Sequence, residues 1–172
     1  MRAARNPPSR EMFPLRRRPD MKFFAFAATA TLALAACSPS APVADGVIVM
    51  ESEYSVRTTL DRIEAEAESR GAQVFARIDH AAGAETTGVE MEPTGLVIFG
   101  NPALGTPLIA QSRTAGLDLP VRMLVWEDDD EVWLAYTDPG AIAARHAINS
   151  GDALDQMTEA LDGFAREVTG ND

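Results

Sequence analysis

The chain has one cysteine, Cys37, one lysine, Lys22, and two histidines, His80 and His146. A single cysteine excludes a disulfide within the chain. Two histidines give imidazole chemistry only two places to stand. From Cys37 onward the charged residues are eight arginines against 24 acids, a net of −16. Such a surface repels phosphate backbones and anionic headgroups, so it argues against nucleic acid as a partner and against charge-driven membrane binding. No serine lies in a Gly-x-Ser-x-Gly elbow, and no glycine-rich loop is built to cradle a phosphate. The acidic run Asp128-Asp129-Asp130 lacks the ligand spacing of a calcium loop and reads as a solvated turn.

The front of the chain reads as an address. Residues 1–20, with four prolines and the run Arg16-Arg17-Arg18, hold no pattern that could fold and read as an over-extended start, with Met21 as the true beginning. Met21-Lys22 and the apolar run from Phe23 to Ala33 form a signal-peptide pattern, and that run is too short to span a bilayer comfortably. It ends in Leu34-Ala35-Ala36-Cys37, which looks like a bacterial lipobox, so 21–36 reads as a lipoprotein signal peptide and Cys37 as the lipidated new N-terminus. The expected location is the cell membrane or the outer membrane, lipid-anchored and facing the periplasm, and Ser38, which offers no aspartate for inner-membrane retention, leans it towards the outer membrane. Residues 37–46, with Pro39 and Pro42, form a tether, and 47–172 a single domain of ordinary size.

The stretch that organises this domain is Leu96-Val97-Ile98-Phe99-Gly100-Asn101-Pro102, a buried strand turning sharply into a helix. Asn101 suits the cap of that helix and Pro102 its first position, where a missing N–H costs nothing. The helix should run to about Arg113, with Gly105-Thr106-Pro107 as an awkward interior. Before it, Val47 to Met50 opens as a strand, Ser55 caps a helix whose core face is Val56, Leu60, Ile63 and Ala67 and which Gly71 stops, and Gln73 to Asp79 forms a strand. After it, Gly116 to Pro120 connects to a hairpin of Val121–Trp126 and Glu131–Tyr136. Asp138 caps a helix with Pro139 at its first position, and a last amphipathic helix from about Asp152 presents Leu154, Met157, Leu161, Phe164 and Val168. Strands and helices do not alternate regularly, which predicts an α+β domain with an antiparallel or mixed sheet and helices packed on one face.

With these residues laid out, the chain from about Ser55 to His146 resembles the family catalogued as domain of unknown function 302. The resemblance is carried by Arg77-Ile78-Asp79-His80, Phe99-Gly100-Asn101-Pro102, Gly105-Thr106-Pro107-Leu108, Leu117-Asp118-Leu119-Pro120, Trp126-Glu127-Asp128, Val132-Trp133-Leu134-Ala135-Tyr136, Asp138-Pro139 and Arg145-His146. It implies a TATA-binding-protein-like α+β fold with a curved antiparallel sheet. It implies no established activity, and the fold analogy carries no DNA binding into a chain this acidic.

Chemistry has few places to reside. His80 and His146, with Asp79, Glu90 or Asp138, would suit a divalent metal such as zinc or copper if the fold gathers them. Their structural alternatives are a turn bond for His80 and a helix C-terminus for His146. Thr106 is a nucleophile only if a histidine reaches it. Asn101, Thr106 and Tyr136 could line a pocket, while Phe99, Trp126 and Trp133 suit core or sheet-face packing. Three functional classes follow: a lipid-anchored envelope domain that binds a small ligand, a metal or a protein partner; an envelope enzyme using His80 and His146 with a carboxylate; and a structural homodimer.

Overall fold

The computed structural model describes residues 44–149 and 151–171. The expected signal peptide and Cys37 lie outside the described residues. The elements run β1 (Val47–Ser52), α1 (Val56–Ser69), β2 (Gln73–Asp79), α2 (His80–Glu85), β3 (Thr94–Gly100) and α3 (Pro102–Gln111), then a 3-10 turn (Arg113–Leu117), β4 (Val121–Asp128), β5 (Glu131–Thr137), α4 (Pro139–His146) and α5 (Asp152–Thr169). Five strands form one sheet in the order β1-β5-β4-β3-β2, and every neighbouring pair is antiparallel. The fold is therefore α+β, with a meander from β2 to β5 and β1 closing the β5 edge.

Local chemistry explains where most elements start. Ser55 caps α1 by accepting from the Thr58 N–H at 3.3 Å, Asn101 caps α3 through Ala103, and Asp138 caps α4 through Gly140. Each side-chain oxygen satisfies an N–H that the helix itself leaves unpaired. Gly71, at φ +71°, takes the left-handed position that ends α1. The β4–β5 hairpin closes between Asp128 and Glu131, so Asp129 and Asp130 form its two-residue loop. Both have positive φ, 50° and 69°, as a type I′ turn requires.

The core lies between the sheet and the helices. Val97 and Phe99 of β3, Met123 and Val125 of β4, and Val132, Leu134 and Tyr136 of β5 alternate inward. Against them pack Val56, Leu60, Ile63 and Ala67 of α1 and Met157, Leu161, Phe164 and Val168 of α5. These are the helical faces expected from periodicity, except that Leu154 is only half-buried. Gly95 lets α1 approach β3: a Cβ there would lie 2.5 Å from Leu60 Cδ1. The two tryptophans face each other as the cross-strand pair Trp126–Trp133. Arg62 of α1 donates to the Val168 carbonyl at 3.0 Å and to that of Glu167, placing a cation at the C-terminal end of α5 where the helix dipole favours one.

Two local departures from simple periodicity shape one end of the sheet. In β2, Val74 pairs with Phe99 and Ala76 with Ile98, so Phe75 is the extra residue of a β-bulge. The bulge turns a phenyl ring that strict alternation would assign to one face into a half-exposed side chain beside Gly100 and Pro120. In α3, Pro107 is accommodated inside the helix, which still ends at Gln111, two residues short of the expected Arg113. The chain then tightens into the 3-10 turn, and the Leu119–Pro120 peptide is cis.

Candidate functional site

Beneath the strand-to-helix turn lies a cleft of about 240 Å³. Its walls include Ala67 and Arg70 at the end of α1, Phe75 of the bulge, Phe99 to Asn101 at the end of β3, Leu104, Thr106 and Ile109 of α3, and Met157, Ala160, Leu161 and Phe164 of α5. Leu119, Pro120 and Val121 close the side formed by the connector. Phe99 and Phe164 stack with ring centroids 4.8 Å apart and planes at 20°. The Arg70 guanidinium sits 5.4 Å from the Phe164 ring centroid and is paired with Glu66, whose carboxyl it holds below the usual value. The cavity is thus apolar and aromatic, and the one cation on its wall already has a partner.

Asn101 and Thr106, expected to line a pocket, both line this one. Tyr136 does not. It is buried against the core on β5, and its hydroxyl has no hydrogen-bond partner among the described residues. Burial, reinforced by the charges of Asp162 and Asp138 and opposed by Arg166, pushes its pKa up to about 12.

The two histidines are held at opposite ends of the sheet. His80 opens α2, exposed, directly after Asp79, which pairs with Gly95. His146 is bonded to Asp118, three residues before Val121, which pairs with Phe99. Gly95 and Phe99 are separated by about 13 Å of strand. Asp79 is occupied as the α2 cap, accepting from the Ala82 N–H at 2.9 Å, and Asp138 as the α4 cap at 2.8 Å from the Gly140 nitrogen. Glu90 lies exposed in the loop after α2. The structure therefore does not gather Asp79, His80, Glu90, Asp138 and His146. Among the described residues, no group of three or more His, Cys, Asp or Glu side chains is placed to hold a metal ion.

His146 instead belongs to a polar array that the sequence alone does not announce. Its Nε2 lies 2.7 Å from Asp118 Oδ2, and its Nδ1 lies 2.9 Å from Thr114 Oγ1. Asp118 is 9 % exposed, the imidazole 5 %, and Thr114 is open to solvent. Arg145 donates to Asp118 Oδ2 at 2.6 Å and Arg122 to Oδ1 at 3.1 Å. Burial alone would raise the Asp118 pKa. Hydrogen bonds from His146 and Arg145, with the Arg145 charge, outweigh it and hold the carboxyl below its usual value. A carboxylate can only accept, so the Nε2 atom carries the proton, and in the neutral ring Nδ1 is then an acceptor for the Thr114 hydroxyl. Ser112 Oγ extends the chain of hydroxyls at 3.1 Å from Thr114.

The family profile described as "Domain of unknown function DUF302" matches residues 48–164. Two curated relatives named "Fluoride-specific ion channel FluC 1", from Brucella suis biovar 1 (strain 1330) and Brucella abortus biovar 1 (strain 9-941), are 48 % identical over 112 residues. That alignment takes in 64 % of this chain and 44 % and 42 % of theirs, so the chain spans less than half the length of these relatives. A solved structure, "Crystal structure of uncharacterized conserved protein DUF302 from Bacillus stearothermophilus", superposes with a TM-score of 0.61 at 13 % identity. It covers 74 % of this chain and 98 % of its own, a likeness of fold.

Proposed function

The chain belongs to the family of DUF302 domains, and from that premise we propose that it is a ligand-binding module of the bacterial cell envelope, lipid-anchored through Cys37, that takes a small neutral apolar molecule into the cleft under Phe99–Pro102. The observation that carries this reading is the cleft itself. A cavity of about 150 Å³ lined by aliphatic and aromatic side chains is enough to hold benzene. A volume of 240 Å³ suits one ring with a short substituent, or an aliphatic molecule of similar size. Neutrality follows from the lining: Arg70, its one charged side chain, is already paired with Glu66, and no carboxylate lines the cleft to hold a cation.

Anchoring is supported by the lipobox pattern and by the relatives, whose printed name is that of an ion channel. A lipid here and a channel there would each bring such a domain to a membrane. We infer the finer fold type, TATA-binding-protein-like with a curved sheet, from the motif resemblance. A homodimer remains a reading for solution measurement of mass.

Titration of the purified domain with benzene, toluene and indole, followed by calorimetry and amide chemical shifts, tests the binding reading. Saturable binding with shifts confined to the cleft is expected, and Ala160→Phe, which fills it, should weaken that binding at least tenfold while the fold is kept. Absence of saturation with all three probes, or equal binding by Ala160→Phe, overturns it. For the anchor, Cys37→Ser should move the protein out of the membrane fraction; unchanged fractionation refutes it.

A further inference from the structure

We propose that Thr114 is the nucleophile of an ester-cleaving site, with His146 as its general base and Asp118 as the residue that positions the imidazole. Each part of the array meets a separate chemical requirement. A hydroxyl attacks a carbonyl usefully only when a base within hydrogen-bond reach takes its proton, and His146 Nδ1 stands 2.9 Å from Thr114 Oγ1. The base must present a lone pair, and the Asp118 carboxylate fixes that tautomer by accepting from Nε2 at 2.7 Å. The orienting carboxylate must itself be held still, and Arg122 and Arg145 take one oxygen each, with Arg145 sharing Oδ2 with His146. Finally the nucleophile must be reachable while its support is dry. Thr114 is exposed; His146 and Asp118 are buried.

With Nε2 donating to Asp118, Nδ1 of the neutral ring is the acceptor, and the exposed hydroxyl at the end of the chain then donates inward to a buried base. The substrate class follows from the turn. In a 3-10 helix residues three apart eclipse one another, so Leu117 lies on the same edge as Thr114, and it is 77 % exposed. A large aliphatic side chain beside the hydroxyl suits an ester whose acyl or alcohol part is short and apolar. In the reaction the Thr114 oxygen bonds the carbonyl carbon as its proton passes to His146 Nδ1. The carbon–oxygen bond to the leaving alcohol breaks, and the alcohol takes that proton. Water, giving a proton to the same nitrogen, then attacks the threonyl ester, releasing the acid and returning the proton to Thr114.

The test uses an alkyl fluorophosphonate, which would bond to the Thr114 oxygen with loss of fluoride, and p-nitrophenyl butyrate. Peptide mass mapping should place the adduct on Thr114. Thr114→Ala should lose it and the esterase activity, whereas Thr114→Ser should keep both. His146→Gln, in preparations with wild-type circular dichroism, should slow labelling by about 10² or more. Asp118→Asn should slow it and alter its pH profile, which loss of a mere structural bond would not do. Filling the apolar cleft with Ala160→Phe should leave labelling intact, so this proposal and the ligand-binding reading fail separately. Labelling of Thr114 no faster than of the exposed Thr86 or Thr158, or labelling undiminished in His146→Gln, overturns it.

Discussion

Replacing Tyr136 by Phe should stabilise the protein. The ring fills core space between β5 and the helices, and Phe keeps that burial in full. What it removes is a hydroxyl that is 97 % buried with its residue and has no hydrogen-bond partner among the described residues. A buried polar group left unpaired costs about 1–3 kcal/mol, so the expected gain is about 1–2 kcal/mol after allowing for the small void where the oxygen stood. For a domain of this size that is a rise in Tm of roughly 3–8 °C. Urea unfolding should show a higher midpoint with an unchanged slope, the sign of altered stability rather than altered compactness. The pH dependence provides a second measurement on the same substitution. The Tyr136 pKa is pushed from 10.0 to about 12, so the fold favours the neutral phenol. Its contribution is fully present below pH 10, where both states are protonated, and is lost as pH rises through about 12, because the unfolded chain ionises first. Two pH units correspond to about 3 kcal/mol. Between about pH 10 and 12 the wild type should therefore lose stability faster than Tyr136→Phe. A substitution that lowers stability by 1 kcal/mol or more would mean that the hydroxyl is bonded, and an unchanged alkaline slope would mean that it is solvated; either would refute the reasoning.

Two other sites give predictions of opposite character. Gly95→Ala forces a Cβ to 2.5 Å from Leu60 Cδ1 in a packed core, and should cost about 1–3 kcal/mol in urea unfolding, whereas Gly83→Ala, which meets open space in α2, should not destabilise. Asp118 has a depressed pKa, so its contribution is present above the unfolded value of 3.8 and is lost as pH falls through the lower folded value. An acid titration of unfolding free energy should show that loss, and Asp118→Asn should flatten it at a cost near neutral pH of about 1–2 kcal/mol, since Arg122 and Arg145 are half-exposed and their pairing is screened by water.

Much of the fold was legible because the signals were local. Ser55, Asn101 and Asp138 bond donors two or three residues away, and an amphipathic helix such as α5 displays its buried stripe within its own 18 residues. Helix caps and periodic faces are settled by neighbours in sequence, so a linear reading reaches them. The misreadings arose where a distant residue decided. Alternation along β2 does not set its inward face, because it is broken at Phe75, and that break is visible only in the pairing of Val74 with Phe99 and Ala76 with Ile98. Pro107 looks disruptive in isolation, yet the α3 ladder tolerates it, while the 3-10 turn from Arg113 rather than the proline ends the helix.

The candidate sites show the same division more sharply. Asn101 and Thr106 were accessible as pocket residues because the turn that presents them is a sequence motif. Thr114 and Asp118 were not, although Leu117-Asp118-Leu119-Pro120 and Arg145-His146 stood out as segments. Thr114 lies 32 positions from His146 and Asp118 lies 28, and nothing in either segment states that they meet. The one usable signal was the pair of basic residues at the end of α4, Arg145-His146, in a chain with so few cations: two adjacent groups able to donate to a carboxylate call for a carboxylate, and Asp118 is the acid inside a motif otherwise made of leucine and proline. Reasoning from that demand would have paired the right residues. It would still have missed Thr114, because a hydroxyl advertises itself only through what lies beside it in space. The connector between α3 and β4 resolves why both features converge: Leu119 and Pro120 wall the apolar cleft, while Thr114 and Asp118, in the same short stretch, hold the imidazole. A substitution that displaces this connector should therefore disturb ligand binding and Thr114 labelling together, whereas Ala160→Phe and Thr114→Ala each act on one alone.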